Sequence, residues 1–367
     1  MTHKKIGLAL GSGGARGWAH IGVIQALLEA EIKIDYVAGT SIGAFVGAFY
    51  AAGGLRQLEE FVRSLDWRTI VSLLDLEFPD KGLLDGGKVY ELLQEHLLSM
   101  QLEETEVPFH CVATDLLNQQ SVTFKSGSLV DAVRASISIP GVFTPFEKDG
   151  VYYIDGGVIN PVPVDVVKEM GCDLAIAVNL NHQYPQCPDG GNANTSVLSE
   201  SASTASDRES SLEQPEFPEQ PQPTDENDTN QPDPQSSQPD SQAKDADQAT
   251  QDRDFIVTMR SQYESVQTSL SQKINNWLPE RKQESPEAKN NQCPNIFDVI
   301  GNAINMMEQQ VTEVKLAALP PDILIQPNLS QYGIFDFHCA EEIIQVGYEQ
   351  TKSQLAEIEK MLAADED

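Results

Sequence analysis

Ile34-Asp35-Tyr36-Val37-Ala38-Gly39-Thr40-Ser41-Ile42-Gly43-Ala44-Phe45-Val46-Gly47-Ala48-Phe49-Tyr50 reads as a strand, a tight turn and a helix. The apolar run that begins near Ile34 ends at Val37-Ala38, and a small-residue, apolar helical run begins at Ala44. Between them, Gly39-Thr40-Ser41-Ile42-Gly43 has the form G-x-S-x-G. A serine in such a turn has an exposed hydroxyl beside a helix N-terminus, and the glycines let the backbone bend without a Cβ clash. That geometry suits a nucleophile. The competing reading of Ser41 is an N-cap for the helix, and the two roles are compatible.

Working outward, short apolar stretches at 6–10, 34–38, 109–114 and 174–179 alternate with helical patterns at 21–29, 44–52, 89–98 and 164–170. Strands separated by helices need crossover connections, which predicts an α/β fold with a mainly parallel sheet covered on both faces. After residue 182 the composition changes. Residues 183–254 hold 16 acidic and 3 basic residues among Gln, Pro, Ser and Asn, with almost no large apolar side chains. Such a segment cannot bury enough surface to offset the entropy of ordering it, and it is expected to be disordered. Ile256, Met259, Tyr263, Val266, Leu270, Ile274 and Trp277 then recur at three- and four-residue spacing. They predict an amphipathic helix over 255–278, either docked on the domain or a second copy, or acting as an interfacial helix or lid. A polar linker at 279–292 leads to helices expected at 295–316 and 340–363, with a late strand at 322–326. The expected architecture is one domain built from residues 1–182 and 293–367 around a long insertion.

Composition excludes several classes. A net charge of −32 argues against phosphate neutralisation on a nucleic acid and gives no attraction to an anionic lipid surface. The five cysteines, Cys111, Cys172, Cys187, Cys293 and Cys339, form no C-x-x-C pair, so reduced thiols in a cytoplasmic protein are expected, with no disulfide scaffold or structural metal. The stretch from Met1 to Leu10 has too short an apolar core for a signal peptide, and Ile6 to Leu10 reads as a buried first strand. No run reaches the ~18 apolar residues of a membrane span.

Two further features stand around Ser41. Gly11-Ser12-Gly13-Gly14-Ala15-Arg16-Gly17 follows the first strand directly. A phosphate loop would need a Lys that is absent, and the glycine spacing does not fit G-x-G-x-x-G. What remains is a tight βα turn or an oxyanion hole, in which the N–H groups of Gly13, Gly14 and Ala15 face a developing negative charge. The nearby G-x-S-x-G favours the oxyanion hole. The second feature is Asp155-Gly156-Gly157, after the short strand-like Val151-Tyr152-Tyr153-Ile154. Asp155 is a turn residue by default. In a dry site it also makes a base for the Ser41 proton, because desolvation raises its proton affinity. None of His3, His20, His96, His110, His182 and His338 lies in a hydrolase-type histidine loop. Only His338 has the usual chain order, and it sits where the last helix should begin. A Ser–Asp dyad explains the chain better than a triad.

Together, Gly11–Gly17, the Gly39–Gly43 turn and Asp155-Gly156-Gly157 resemble the patatin-like phospholipase family. They match its glycine-rich oxyanion loop, its nucleophile elbow and its D-G-[GA] motif. Gly17-Trp18-Ala19-His20-Ile21-Gly22-Val23, Ala113-Thr114-Asp115-Leu116, Ala135-Ser136-Ile137-Ser138-Ile139-Pro140-Gly141-Val142-Phe143 and Asn160-Pro161-Val162-Pro163 are similar to the bacterial branch related to the neuropathy target esterase catalytic domain. Ser12 departs from the pattern, where many members have Gly. Little consequence is expected, since the loop acts through its backbone.

The resemblance implies a three-layer patatin-like fold and a cofactor-free serine acyl hydrolase acting on a lipid or lysophospholipid ester. Ser41 would be the nucleophile, Asp155 the base, and Gly11, Arg16, Gly17, Gly39, Gly43, Gly156 and Gly157 the supporting motif. Arg16 is expected to hold the loop by ion pairing, with contact to a substrate phosphate as its second role. Transient contact with the inner face of a membrane is expected too. The alternatives are a transacylase and a non-catalytic lipid-binding or regulatory adaptor that keeps the fold.

Overall fold

The structure, a computed structural model, describes residues 4–65, 86–97, 100–182 and 296–363. The segments expected at 183–254, 255–278 and 279–292 lie outside these residues. In chain order the described strands are β1 (Ile6–Leu10), β2 (Tyr36–Thr40), β3 (Phe109–Asp115), β4 (Gln120–Phe124), β5 (Phe146–Lys148), β6 (Val151–Asp155), β7 (Leu174–Val178) and β8 (Ile323–Ile325). The described helices are α1 (Ala19–Glu29), α2 (Ile42–Ala51), α3 (Leu55–Arg63), α4 (Gly87–Leu97), α5 (Leu129–Ser136), α6 (Val164–Glu169), α7 (Ile296–Ala318) and α8 (Ala340–Ala363). No described helix is long and apolar enough to cross a membrane.

The strands form one sheet in the order β5-β6-β3-β2-β1-β7-β8, with β4 on the other edge of β3. The four pairs linking β3, β2, β1, β7 and β8 are parallel, and those of β4, β5 and β6 are antiparallel. β1 and β7 are buried along their whole length, as expected of strands covered on both faces.

The pleat sorts their side chains by size. Ile6, Leu8 and Leu10 of β1, with Leu174, Ile176 and Val178 of β7, join the larger core of α1, α2, α3 and α8. Ala9, Ala175 and Ala177 face the other way, onto Val164, Val166 and Val167 of α6. Small residues on that face let the short helix lie close to the sheet. The result is a three-layer α/β arrangement.

Several boundaries differ from the sequence expectation. β2 runs from Tyr36 to Thr40, two residues later than expected, and α2 begins at Ile42. Ile34 is buried but lies ahead of the ladder, where the Asp35 carboxylate accepts the Ile6 N–H at 2.9 Å. The apolar run from Ile34 predicts an earlier strand start than the hydrogen bonding gives. α3, β4, α5 and β5 were not anticipated.

The larger surprise is α7. Its apolar periodicity is real, but only part of it turns inward: Leu316 packs beside the α6 core, while Met306 at 56%, Met307 at 61% and Val314 at 71% exposure face outward. Glu308 and Thr312 occupy the buried face.

Candidate active site

β3 acts as the ruler of the site. Its residues 111–115 pair with β4 along one edge, so β2 and β6 share the other. Val112 pairs with Thr40, the last residue of β2, and Ala113 pairs with Asp155, the last residue of β6. Two adjacent residues of one strand thus place Asp155 beside the turn that follows Thr40. The Ser41 hydroxyl donates to Asp155 Oδ2 at 2.5 Å, and both residues are buried.

The turn itself is strained. Ser41 has φ 57° and ψ −127° while standing at the N-terminus of α2. A non-glycine residue held there stores on the order of 1–3 kcal/mol, which the surroundings must offset. Part of the offset is tight packing of α2 on the sheet. An added Cβ at Gly43 would strike the Leu10 carbonyl, and one at Gly39 would lie 2.6 Å from Ala44 Cα. The Ser41 side chain makes no capping bond to its helix. The hydroxyl is directed at Asp155 and not at its own helix.

The loop at 136–138, anticipated only as part of a motif, braces both residues. Ser136 Oγ accepts the Ser41 N–H, and the Ser138 carbonyl accepts the Asp155 N–H at 2.9 Å. Asp155 is fixed further by the Gly157 N–H, which donates to its Oδ1 at 2.7 Å, and by Thr114 Oγ1, which donates to its carbonyl.

The glycine loop crosses the end of β1. Gly11 and Ser12 donate their N–H groups to Val178 and Pro161. Gly14 has φ 57°, and an added Cβ would strike the Ile334 carbonyl. The Gly13 and Gly14 N–H groups have no hydrogen-bond acceptor among the described residues, and both glycines line the same cavity as Ser41 and Asp155.

Ala15 corrects the sequence expectation. Its N–H already donates to the Ile334 carbonyl at 2.9 Å, so it is not offered to a ligand. The carbonyl comes from the segment beyond α7, which local glycine spacing does not reveal.

Arg16 is 6% exposed and donates to the Gly13 carbonyl, to Asn181 Oδ1 at 3.0 Å and to Asn305 Oδ1 at 2.7 Å. These acceptors are neutral, so the loop is held by hydrogen bonds rather than by the expected ion pair. His20 is fully buried with Nε2 2.8 Å from the Gly11 carbonyl. Burial lowers its pKa to about 4, so the ring is a neutral strut of the loop. His338 lies in the turn Phe337–Cys339 ahead of α8, and no histidine lines the cavity among the described residues.

Ile139, Pro140, Val158, Ile304 and Ile334 give the cavity apolar walls. Its remaining member, Glu308, was not anticipated. Glu308 Oε2 accepts from Ser12 Oγ at 2.9 Å and from Asn181 Nδ2 at 2.9 Å. The Ser12 side chain, expected to be idle, therefore has a partner across the insertion. Burial, followed by the charge of Glu308, raises the Asp155 pKa from 3.8 to about 8, against opposing pulls from the Ser41 and Gly157 hydrogen bonds. Burial also raises Glu308, while Ser12, Arg16 and Asn181 draw it down. A carboxylate so desolvated, bonded to a serine hydroxyl, is able to take a proton near neutral pH. Among the described residues no cluster of three or more His, Cys, Asp or Glu is arranged to hold a metal ion.

Residues 8–168 match the family model described as patatin-like phospholipase. An uncharacterised NTE family protein of Mycobacterium bovis is 45% identical over 180 residues, covering 49% of this chain and 50% of its own length. Patatin-like phospholipase domain-containing protein 6 of Homo sapiens is 37% identical over 190 residues, covering 50% of this chain and 14% of the human protein. A putative patatin-like phospholipase domain-containing protein of Caenorhabditis elegans is 33% identical over 187 residues, covering 49% of this chain and 17% of its own. The chain thus spans about half the length of the mycobacterial relative and less of the animal ones. Residues 8–168, over which the chain is similar to the patatin-like phospholipase family, include the Ser41 turn and Asp155.

Proposed function

We propose that the protein is a serine lipid acyl hydrolase that cleaves a carboxylic ester of a lysophospholipid or phospholipid through a Ser–Asp dyad. The observation that carries this reading is the 2.5 Å hydrogen bond from Ser41 Oγ to Asp155 Oδ2, at the base of an apolar-walled cavity that Gly13 and Gly14 also line. Asp155 takes the proton as Ser41 Oγ attacks the ester carbonyl. The Gly13 and Gly14 N–H groups meet the oxyanion of the tetrahedral intermediate, each donor contributing about 3 kcal/mol to the transition state. Asp155 returns the proton to the leaving alcohol, and water releases the acid from the acyl-enzyme by the same route reversed. The chemistry needs no cofactor.

The apolar walls Ile139, Pro140, Val158, Ile304 and Ile334 support a fatty-acyl substituent. The exposed Val299, Met306, Met307 and Val314 lie on α7, whose Ile304 walls the cavity, and they support transient contact with a lipid surface at the cytoplasmic face of a membrane. The test is hydrolysis of a lysophosphatidylcholine and of a short-chain p-nitrophenyl ester by wild type and S41A, with fatty acid read by mass spectrometry. Release by wild type alone is expected; equal rates for the two proteins would end this reading.

A further inference from the structure

Glu308 belongs to no motif and lies outside the matched residues 8–168, yet it reaches the heart of the site. α7 turns it inward, where it is only 8% exposed. Its Oε2 is held by Ser12 on the glycine loop and by Asn181 after β7. Asn181 in turn accepts from Arg16, so a continuous chain of bonds runs Arg16–Asn181–Glu308–Ser12. Its Oε1 is turned toward Gly157. An added Cβ on Gly157 would collide with Glu308 Oε1 and lie 3.0 Å from Asp155 Oδ1, so both carboxyl groups converge on one point. No cation stands between them as an ion-pair partner of either group among the described residues.

We propose that Glu308 is a positioning residue of the Ser41–Asp155 site, whose buried negative charge faces Asp155 across Gly157 and holds it ready to accept the Ser41 proton. The inference rests on the acyl-hydrolase reading above and deepens it. Two carboxylates in one dry site repel, and the repulsion is relieved when one of them takes a proton. Attack by Ser41 supplies that proton to Asp155 Oδ2, with the O–H bond of Ser41 breaking as the O–H bond of Asp155 forms. Glu308 exchanges no atom. Burial and Glu308 are the two causes that raise Asp155, and burial alone would act without Glu308. The groups facing the pair are the Ser41 hydroxyl and Gly157 N–H on Asp155, the Cys111 thiol on β3 near Asp155, and Ser12, Asn181 and Arg16 on Glu308. Burial raises Glu308, and Arg16 opposes that rise by favouring its charged form.

The test is E308Q in the full-length protein. Gln still accepts the bonds from Ser12 and Asn181 but carries no charge. Asp155 protonation is followed by infrared difference titration of wild type against D155N, then of E308Q against the E308Q/D155N double variant. The midpoint is expected to fall by about one pH unit or more in E308Q, a tenfold or greater loss of proton affinity. The acidic limb of kcat/KM should move down by the same amount, which a merely structural residue would not produce. An unchanged midpoint, or an acidic limb that stays in place while kcat falls, overturns the proposal. If E308Q does not fold, E308D withdraws the charge by one methylene and should shift the midpoint in the same direction by less; no shift there is equally fatal. S41A is assayed alongside. Turnover that survives in S41A defeats the acyl-hydrolase reading, while the infrared titration still decides whether Glu308 governs Asp155.

Discussion

Ser136 Oγ accepts the Ser41 backbone N–H at 2.8 Å and donates its own proton to the Val112 carbonyl at 2.6 Å. One fully buried hydroxyl thus ties the strained turn to the strand that carries Asp155 as its neighbour. S136A leaves a buried N–H and a buried carbonyl unpaired, a cost of about 1–3 kcal/mol. Relaxation of the Ser41 backbone should also lower kcat by roughly 10- to 100-fold, since small misplacement of a reacting group is costly. Urea unfolding and ester turnover measure the two effects. A variant with native stability and native kcat would show that Ser136 braces nothing.

Asp155 makes stability depend on pH with a definite sign. Its pKa is raised from 3.8 to about 8, so between those values the folded chain holds a proton that the unfolded chain has released. That contribution is fully present below about pH 4 and is lost as the pH rises through about 8. D155N has no such titration. The melting temperature of D155N minus that of wild type should therefore grow from pH 4 to pH 8. A flat difference would contradict a strained, desolvated carboxylate at this position.

Arg16 is buried and spends its guanidinium on Gly13, Asn181 and Asn305. R16M should lose roughly 3 kcal/mol through unpaired polar groups around it. Because the side chain points at protein acceptors, turnover of esters with and without a phosphate head group should fall by the same factor. A selective loss on the phosphate-bearing substrate would return Arg16 to the role of head-group contact.

Gly14 and Gly127 both have positive φ, but their surroundings differ. Gly127 has nothing within 4 Å of an added Cβ, whereas Gly14 faces the Ile334 carbonyl. G127A should cost only the backbone term of roughly 1–2 kcal/mol. G14A must in addition push away the segment that accepts the Ala15 N–H, so thermal unfolding should show a clearly larger loss, accompanied by loss of turnover. Equal melting temperatures for the two variants would contradict the packing of Ile334 on the loop.

The sequence made the local chemistry legible because local backbone demands leave local residues. A strand that must turn sharply into a helix at Ser41 needs glycine at 39 and 43, and the pattern survives as G-x-S-x-G. Asp155 was legible for the same reason, from the glycines behind it. Partners drawn from distant chain left no such trace. The Ile334 carbonyl that takes the Ala15 N–H acts through backbone, so no residue type marks it. Ser136 was visible only within a longer motif, because a serine bonded to two backbone groups looks like any other serine. α7 is the instructive case. Periodicity located the helix, but it could not say that Met306, Met307 and Val314 point out while Glu308 and Thr312 point in. An acidic residue on the polar face reads as solvated, and only tertiary packing makes it part of the site.

The central claim is that Ser41, activated by Asp155, forms a covalent bond to an acyl-like electrophile. The most direct measurement is intact-protein and peptide mass spectrometry after treatment with a fluorophosphonate. A single adduct mapped to Ser41, absent in S41A and strongly slowed in D155N, is the predicted result. An adduct on another residue, or labelling of S41A at the wild-type rate, would contradict it.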